Sequence, residues 1–314
     1  MKRKAIIISL SGSSLKPKEK KLISIYKPWG VILFKRNIKS FNQTKKLIMD
    51  IKKIIKDKKY PILIDEEGGN VCRLSNFMDN KIYSQKLFGD LFSENKKLSI
   101  YLYTNYISSL CKIFRLLGVN INTVPVLDIL KNGTHKIIGS RSYSSNKKIV
   151  KYLGKVCIDN YKKNKISTVI KHIPGHGSST SDSHLKLPKI NIPLKELESI
   201  DFNCFKNMNS LFAMTAHLLY PKLDNNVVTH SKKIIKNIIR YKIGFKGILI
   251  SDDISMKSLK YDISTNALYA LNAGCNLVLY CAGNYNESLK LLKQVPLIDK
   301  FTIKKTSEFY KFLS

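Results

Sequence analysis

Short runs of apolar, largely β-branched residues recur along the chain, and between them the apolar positions fall at helical spacing. The runs occupy residues 5–8, 30–34, 61–64, 119–122, 167–170, 211–214, 247–250 and 276–280. They are mostly continuous rather than alternating, as strands buried on both faces are. Between the second and third, residues 43–56 put Leu47, Ile48, Ile51, Ile54 and Ile55 on one helical face. Ser231 is placed to cap a similar segment carrying Ile234, Ile235, Ile238 and Ile239, and residues 304–313 read as a closing helix. Buried strands alternating with amphipathic helices imply a parallel sheet covered on its outside, and eight such units suit a closed (β/α)8 TIM-type barrel. The expected fold class is therefore α/β, with residues 1–314 forming one barrel domain. A doubly wound open sheet is the alternative.

A barrel places its chemistry just past the carboxyl ends of the strands. The third run is followed by Asp65-Glu66-Glu67-Gly68-Gly69 and Arg73, the fourth by Pro125, Asp128 and Gly139-Ser140-Arg141-Ser142. The sixth leads to Thr215-Ala216-His217, and the seventh to Ser251-Asp252-Asp253-Ile254-Ser255-Met256. The fifth opens into the richest stretch, Lys171-His172-Ile173-Pro174-Gly175-His176-Gly177 and on to Asp182-Ser183-His184, which holds three of the six histidines. Asp182 and His184 are two apart, so on an extended segment they face the same side. A carboxylate there orients the imidazole and favours its protonated form, giving a candidate acid/base pair. Gly175 and Gly177 make bending easy, and the Ser178–Ser181 run offers no apolar anchor, so this loop is expected to be mobile and to close over a ligand.

Composition narrows the partners. The formal charge of +33 would ordinarily suggest a polyanion. Only six of the 55 basic residues are arginine, leaving 49 lysines spread over most of the chain. Specific phosphate and base readout leans on the guanidinium fork, so no specific nucleic-acid partner is expected. The six cysteines, Cys72, Cys111, Cys157, Cys204, Cys275 and Cys281, form no Cys-x-x-Cys pair and read as reduced core residues of a cytoplasmic protein. The apolar stretch 5–10 behind Met1-Lys2-Arg3-Lys4 is too short for a signal-peptide core. No segment approaches a membrane span, so no membrane association is expected.

The motifs Lys171-His172-x-Pro-Gly-His176-Gly-x4-Asp182-Ser183-His184, Ser251-Asp252-Asp253-x-Ser255-Met256, Gly30-Val31-Ile32-Leu33-Phe34 and Ala270-x-x-Ala273-Gly274-Cys275 resemble glycoside hydrolase family 3. The likeness is to its single-domain bacterial β-N-acetylhexosaminidases of peptidoglycan recycling, and it covers nearly the whole chain. It implies retaining hydrolysis of a terminal β-linked N-acetylglucosamine from a muropeptide fragment ending in anhydro-N-acetylmuramic acid, by a monomer that needs no cofactor or metal. Retention needs a nucleophile and a proton carrier that acts twice. By resemblance Asp252 is the nucleophile and His184, with Asp182, the acid/base. Imidazole suits that part because it titrates near neutrality. Asp65, Arg73, Arg141, Lys171 and His172 match substrate-binding positions, whereas His176 and His217 match motifs without an assigned role. Asp253 should point away from its neighbour and support the structure. The chain departs from the family pattern at Glu66, Asn70 and Ser140, where the pattern has Gln, Arg and Asp.

Two other readings compete. His172, His176, Asp182 and His184 could ligate zinc in a metal-dependent barrel hydrolase, although no His-x-His follows the first run. A basic barrel that binds sugars without turning them over is the second, opposed by the intact Asp252, Asp182 and His184.

Overall fold

A computed structural model describes residues 2–131, 139–179 and 187–314. The eight expected strands are all present: β1 Lys4–Ile8, β2 Pro28–Leu33, β3 Ile62–Ile64, β4 Ile121–Asn122, β5 Ser167–Ile173, β6 Phe212–Thr215, β7 Ile248–Asp253 and β8 Leu277–Tyr280. Each pairs in parallel with the next, and β8 returns to β1 through Ile6 opposite Val278 and Ile8 opposite Tyr280. The sheet is thus a closed (β/α)8 barrel, which rules out the open doubly wound sheet.

The connecting helices are α1 Pro17–Tyr26, α2 Phe41–Ile55, α3 Gln85–Glu94, α4 Lys96–Leu117, α5 Lys147–Lys163, α6 Leu194–Ser199, α7 Lys232–Ile234, α8 Ile263–Ala273, α9 Tyr285–Gln294 and α10 Lys300–Leu313. Helix α2 buries Leu47, Ile48 and Ile51, with Ile54 and Ile55 half-buried at the core's edge. The Ser40 hydroxyl accepts from the Gln43 amide at its start, satisfying one of the amides a first turn leaves unpaired. Ser231 caps as expected, accepting from the Ile234 amide at 2.9 Å. The segment then departs from a plain α-helix: after three residues it widens into a π-helix over Ile235–Lys242. Arg240, in this π-helix, donates to the carbonyls of Phe245 and Gly247 and to Asn276 Oδ1, pinning the entrances of β7 and β8.

The closing helix begins four residues earlier than the pattern predicts, at Lys300, and it seals the amino-terminal end of the barrel. Phe309 is fully buried there against Phe212, the first residue of β6, and near Trp29 in β2. The Trp29 indole donates to Thr306 Oγ1 at 2.9 Å, so the ring's one polar atom is satisfied inside an apolar cluster. With that end closed, the opposite end is left for a site.

Candidate active site

Two strands run further than their apolar runs suggest, and both irregularities lie at the site. On β5, Ile170 pairs with Ala213 and Ile173 with Thr215, three residues against two. On β7, Ile250 pairs with Leu277 and Asp253 with Leu279. Such one-residue slips re-aim side chains and collect near active sites. Here they occur at Lys171-His172 and at Ser251-Asp252. These residues therefore stand on the rigid strand ends, not in the loops that the sequence pattern suggests.

Asp252, Asp65, Arg73, Arg141, Lys171 and His172 all line one cavity of about 330 Å³. They come from positions far apart in the chain, and a single buried acid, Glu67, joins three of the elements. Arg141 grips it with both prongs, Nε to Oε2 at 2.7 Å and Nη2 to Oε1 at 2.9 Å, the strong planar arrangement of guanidinium and carboxylate. Lys171 Nζ lies 2.6 Å from Glu67 Oε1 and donates to Thr123 Oγ1 at 2.9 Å. Burial alone would raise the Glu67 carboxyl, but Arg141 and Lys171 hold it far below the usual carboxylate range. Asp65 sits between Lys171 and Arg73, each 3.5 Å away, and accepts from Thr123 Oγ1. The same contest operates there: burial raises its carboxyl, and Lys171 and Arg73 lower it overall. Three cations thus keep two buried acids ionised around the cavity.

A second acid, Asp128, organises the histidine segment. Its Oδ2 lies 2.7 Å from His172 Nδ1, and its Oδ1 accepts from the His176 amide at 2.6 Å. Burial opposes its charge, yet the neighbouring His172 brings its carboxyl below the ordinary value. An ionised carboxylate only accepts, so His172 carries its proton on Nδ1. His176 is buried on the cavity wall.

The β7 end is held by a neutral histidine. His217 Nε2 donates to the Asp253 carbonyl at 3.0 Å, which leaves Nδ1 to accept from Thr229 Oγ1 at 2.8 Å. Burial lowers its pKa, in keeping with that neutral tautomer. The Asp252 amide donates to Thr215 Oγ1 at 3.4 Å. Asp253 serves as scaffold: Oδ1 accepts from the Ser255 and Cys281 amides, and Oδ2 from the Ser255 hydroxyl. Glu66 is scaffold as well. Its buried carboxylate accepts from the Arg73 and Leu74 amides, Asn80 Nδ2 and the Cys72 thiol, and so shapes the loop that carries Arg73.

The start of the histidine loop is packed, contrary to the flexibility expected of its glycines. A Cβ on Gly175 would stand 2.8 Å from Asp201 Cβ, and one on Gly177 only 2.1 Å from the Ile129 carbonyl oxygen. Both glycines are therefore needed for close approach. Ser178 donates to Asp201, which also pairs with Lys131 at 3.0 Å, so the serine run has a polar anchor in place of an apolar one. Asp182 and His184, with the rest of residues 180–186, lie outside the described residues, as does any closure they make. Among the described residues no group of three or more His, Cys, Asp or Glu is arranged to hold a metal.

A closed parallel barrel whose strand ends offer a carboxylate and matched ion pairs to one cavity is the layout of a (β/α)8 glycoside hydrolase. Residues 5–306 match the N-terminal domain of glycosyl hydrolase family 3, and the chain belongs to that family. A β-hexosaminidase from Methylobacillus flagellatus is 31% identical over 283 residues, covering 88% of this chain and 80% of that protein. Native NagZ from Neisseria gonorrhoeae superposes with a TM-score of 0.88 at 27% identity, over 100% of this chain and 90% of that one. NagZ from the same organism in complex with N-trifluoroacetyl-D-glucosamine gives 0.86 at 26% identity, over 100% and 91%.

Proposed function

We propose that this chain is a retaining β-N-acetylhexosaminidase that releases terminal β-linked N-acetylglucosamine from peptidoglycan-derived muropeptides, with Asp252 as nucleophile. The observation that carries the reading is the convergence of Asp252 with Asp65, Arg73, Arg141, Lys171 and His172 on one cavity. The relatives' names, β-hexosaminidase and a NagZ holding an N-acylated glucosamine analogue, support the sugar class.

In this reading Asp65 accepts sugar hydroxyls on its two oxygens, Lys171, Arg73 and Arg141 donate to the ring substituents, and His172, whose Nδ1 proton is given to Asp128, accepts from a hydroxyl on Nε2. Asp252 attacks the anomeric carbon from β7, a rigid element that keeps it in reach. His184, oriented by Asp182, protonates the departing oxygen and then takes a proton from water as the glycosyl–Asp252 ester is cleaved. In this reading the enzyme works in the cytoplasm as a monomer, and its six free cysteines suit a reducing compartment.

The test is hydrolysis of an aryl β-N-acetylglucosaminide together with the disaccharide of N-acetylglucosamine and anhydro-N-acetylmuramic acid. The native chain should cleave both and prefer the peptide-bearing form of the disaccharide to chitobiose. His184→Ala should slow the disaccharide far more than an activated aryl glycoside, whose departure needs little protonation. Equal losses on both would move the proton carrier elsewhere, and no cleavage of either would end the reading.

A further inference from the structure

His176 is the buried polar side chain of the cavity for which nothing above has found a use. It is 3% exposed, it lines the cavity, and neither Nδ1 nor Nε2 has a hydrogen-bond partner among the described residues. Buried polar atoms are nearly always paired, and leaving one unpaired destabilises the fold. Two ring nitrogens without a partner among the described residues are therefore a cost to the folded state. The backbone nonetheless places this ring with care. Its amide is fixed 2.6 Å from Asp128 Oδ1, its carbonyl accepts from the Ser179 amide at 3.0 Å, and its neighbours on both sides are glycines with no room for a Cβ. The ring meets that of His172 edge to face, with centroids 5.9 Å apart, so it stands beside a residue proposed to touch the sugar.

We infer that His176 is a further substrate-binding residue, a neutral imidazole whose ring nitrogens are completed by hydroxyl groups of the sugar in the cavity. This inference rests on the sugar-cleaving function proposed above. The chemistry is matched: a neutral imidazole offers one donor and one acceptor, and a hydroxyl can answer either. Burial lowers the pKa of His176 to about 4, so the ring is neutral at physiological pH and selects an uncharged polar group. The cost of the unpaired nitrogens in the free enzyme is recovered when ligand binds, as happens where stability is given up for function.

The test is His176→Phe, which keeps an aromatic ring but removes both nitrogens, with N-acetylglucosamine as the probe in calorimetry and thermal unfolding of the free protein as the control. A residue that serves only the fold lowers Tm when replaced. A residue whose polar atoms wait for ligand leaves Tm unchanged or raises it, while binding weakens by about tenfold or more, the factor that one or two lost hydrogen bonds bring. His176→Gln, which restores a donor and an acceptor, should regain part of that affinity. If His176→Phe fails to fold, the ring nitrogens of the native protein are followed by ¹⁵N NMR as N-acetylglucosamine is added, and a shift of the His176 signals is expected. Unchanged affinity in His176→Phe, or unshifted ring nitrogens in a native protein that binds the sugar, would overturn the assignment and leave a histidine satisfied by solvent alone. Failure of the native protein to bind or cleave N-acetylglucosaminides would instead overturn the proposed function, a result distinguishable from either.

Discussion

Glu67 shows how a site can be half visible in a sequence. Asp65, Arg73, Arg141, Lys171, His172 and Asp252 stand out because each follows an apolar run and matches a family motif, and all six reach the same cavity. Glu67 and Asp128 were equally near strand ends, but nothing in a linear pattern says that one acid will meet both Arg141 and Lys171, or that the other will hold His172 and the His176 amide. Their importance comes from contacts between residues dozens of positions apart. Replacing Glu67 by Gln leaves two buried cations without their shared partner, a change that costs about 3–5 kcal/mol in comparable buried pairs. Its pH dependence follows from linkage. The folded protein holds the Glu67 carboxyl below its ordinary value of 4.5, so its contribution is fully present above that value and is lost as pH falls toward the folded value. Urea midpoints of the native protein and Glu67→Gln should lie well apart at pH 7, begin to approach one another only as pH falls below 4.5, and go on approaching to the lowest pH at which the native protein stays folded. Midpoints that stay parallel across that range would show that Glu67 is not held by its partners.

At the scale of elements, the eight strands and the amphipathic helix α2 were legible because burial on both faces, and on one face, leave different periodicities. The exact ends of β5 and β7 were not. Lys171-His172 and Asp252-Asp253 are polar, so pattern alone closes each strand before them, whereas the barrel's hydrogen bonding carries each strand through a one-residue slip. The π-helix over Ile235–Lys242 was hidden for a related reason: its isoleucines suit an α-helix equally well, and Arg240 finds its acceptors only in the fold. The glycines of the histidine loop give the reverse lesson, since a sequence suggests freedom where packing shows none. Helix α10 makes a prediction at this scale. Phe309→Ala empties the aromatic cluster beneath the barrel and should cost about 3–5 kcal/mol of stability. Because the cluster lies at the end opposite the cavity, KM for an aryl N-acetylglucosaminide should be unchanged below the melting transition. A shifted KM at full folding would mean that the two ends of the barrel are coupled.

The whole molecule joins a closed barrel, a charged-residue-lined cavity at its open end, and a family membership that spans residues 5–306. The barrel was legible from eight alternations, and the charge of +33 from composition. Their joint meaning was not, because charge says nothing of fold and a fold says little of chemistry until its site is examined. The claim on which the rest depends is that Asp252 bonds to the sugar. The most direct measurement is mass spectrometry of protein treated with an activated 5-fluoro-N-acetylglucosaminyl fluoride, in which the electron-withdrawing fluorine slows release of a glycosyl–enzyme. The account predicts a mass increase of one sugar, mapped to the peptide bearing Asp252 and absent from Asp252→Ala. An adduct on any other residue, or steady turnover that releases the α anomer first, would contradict it.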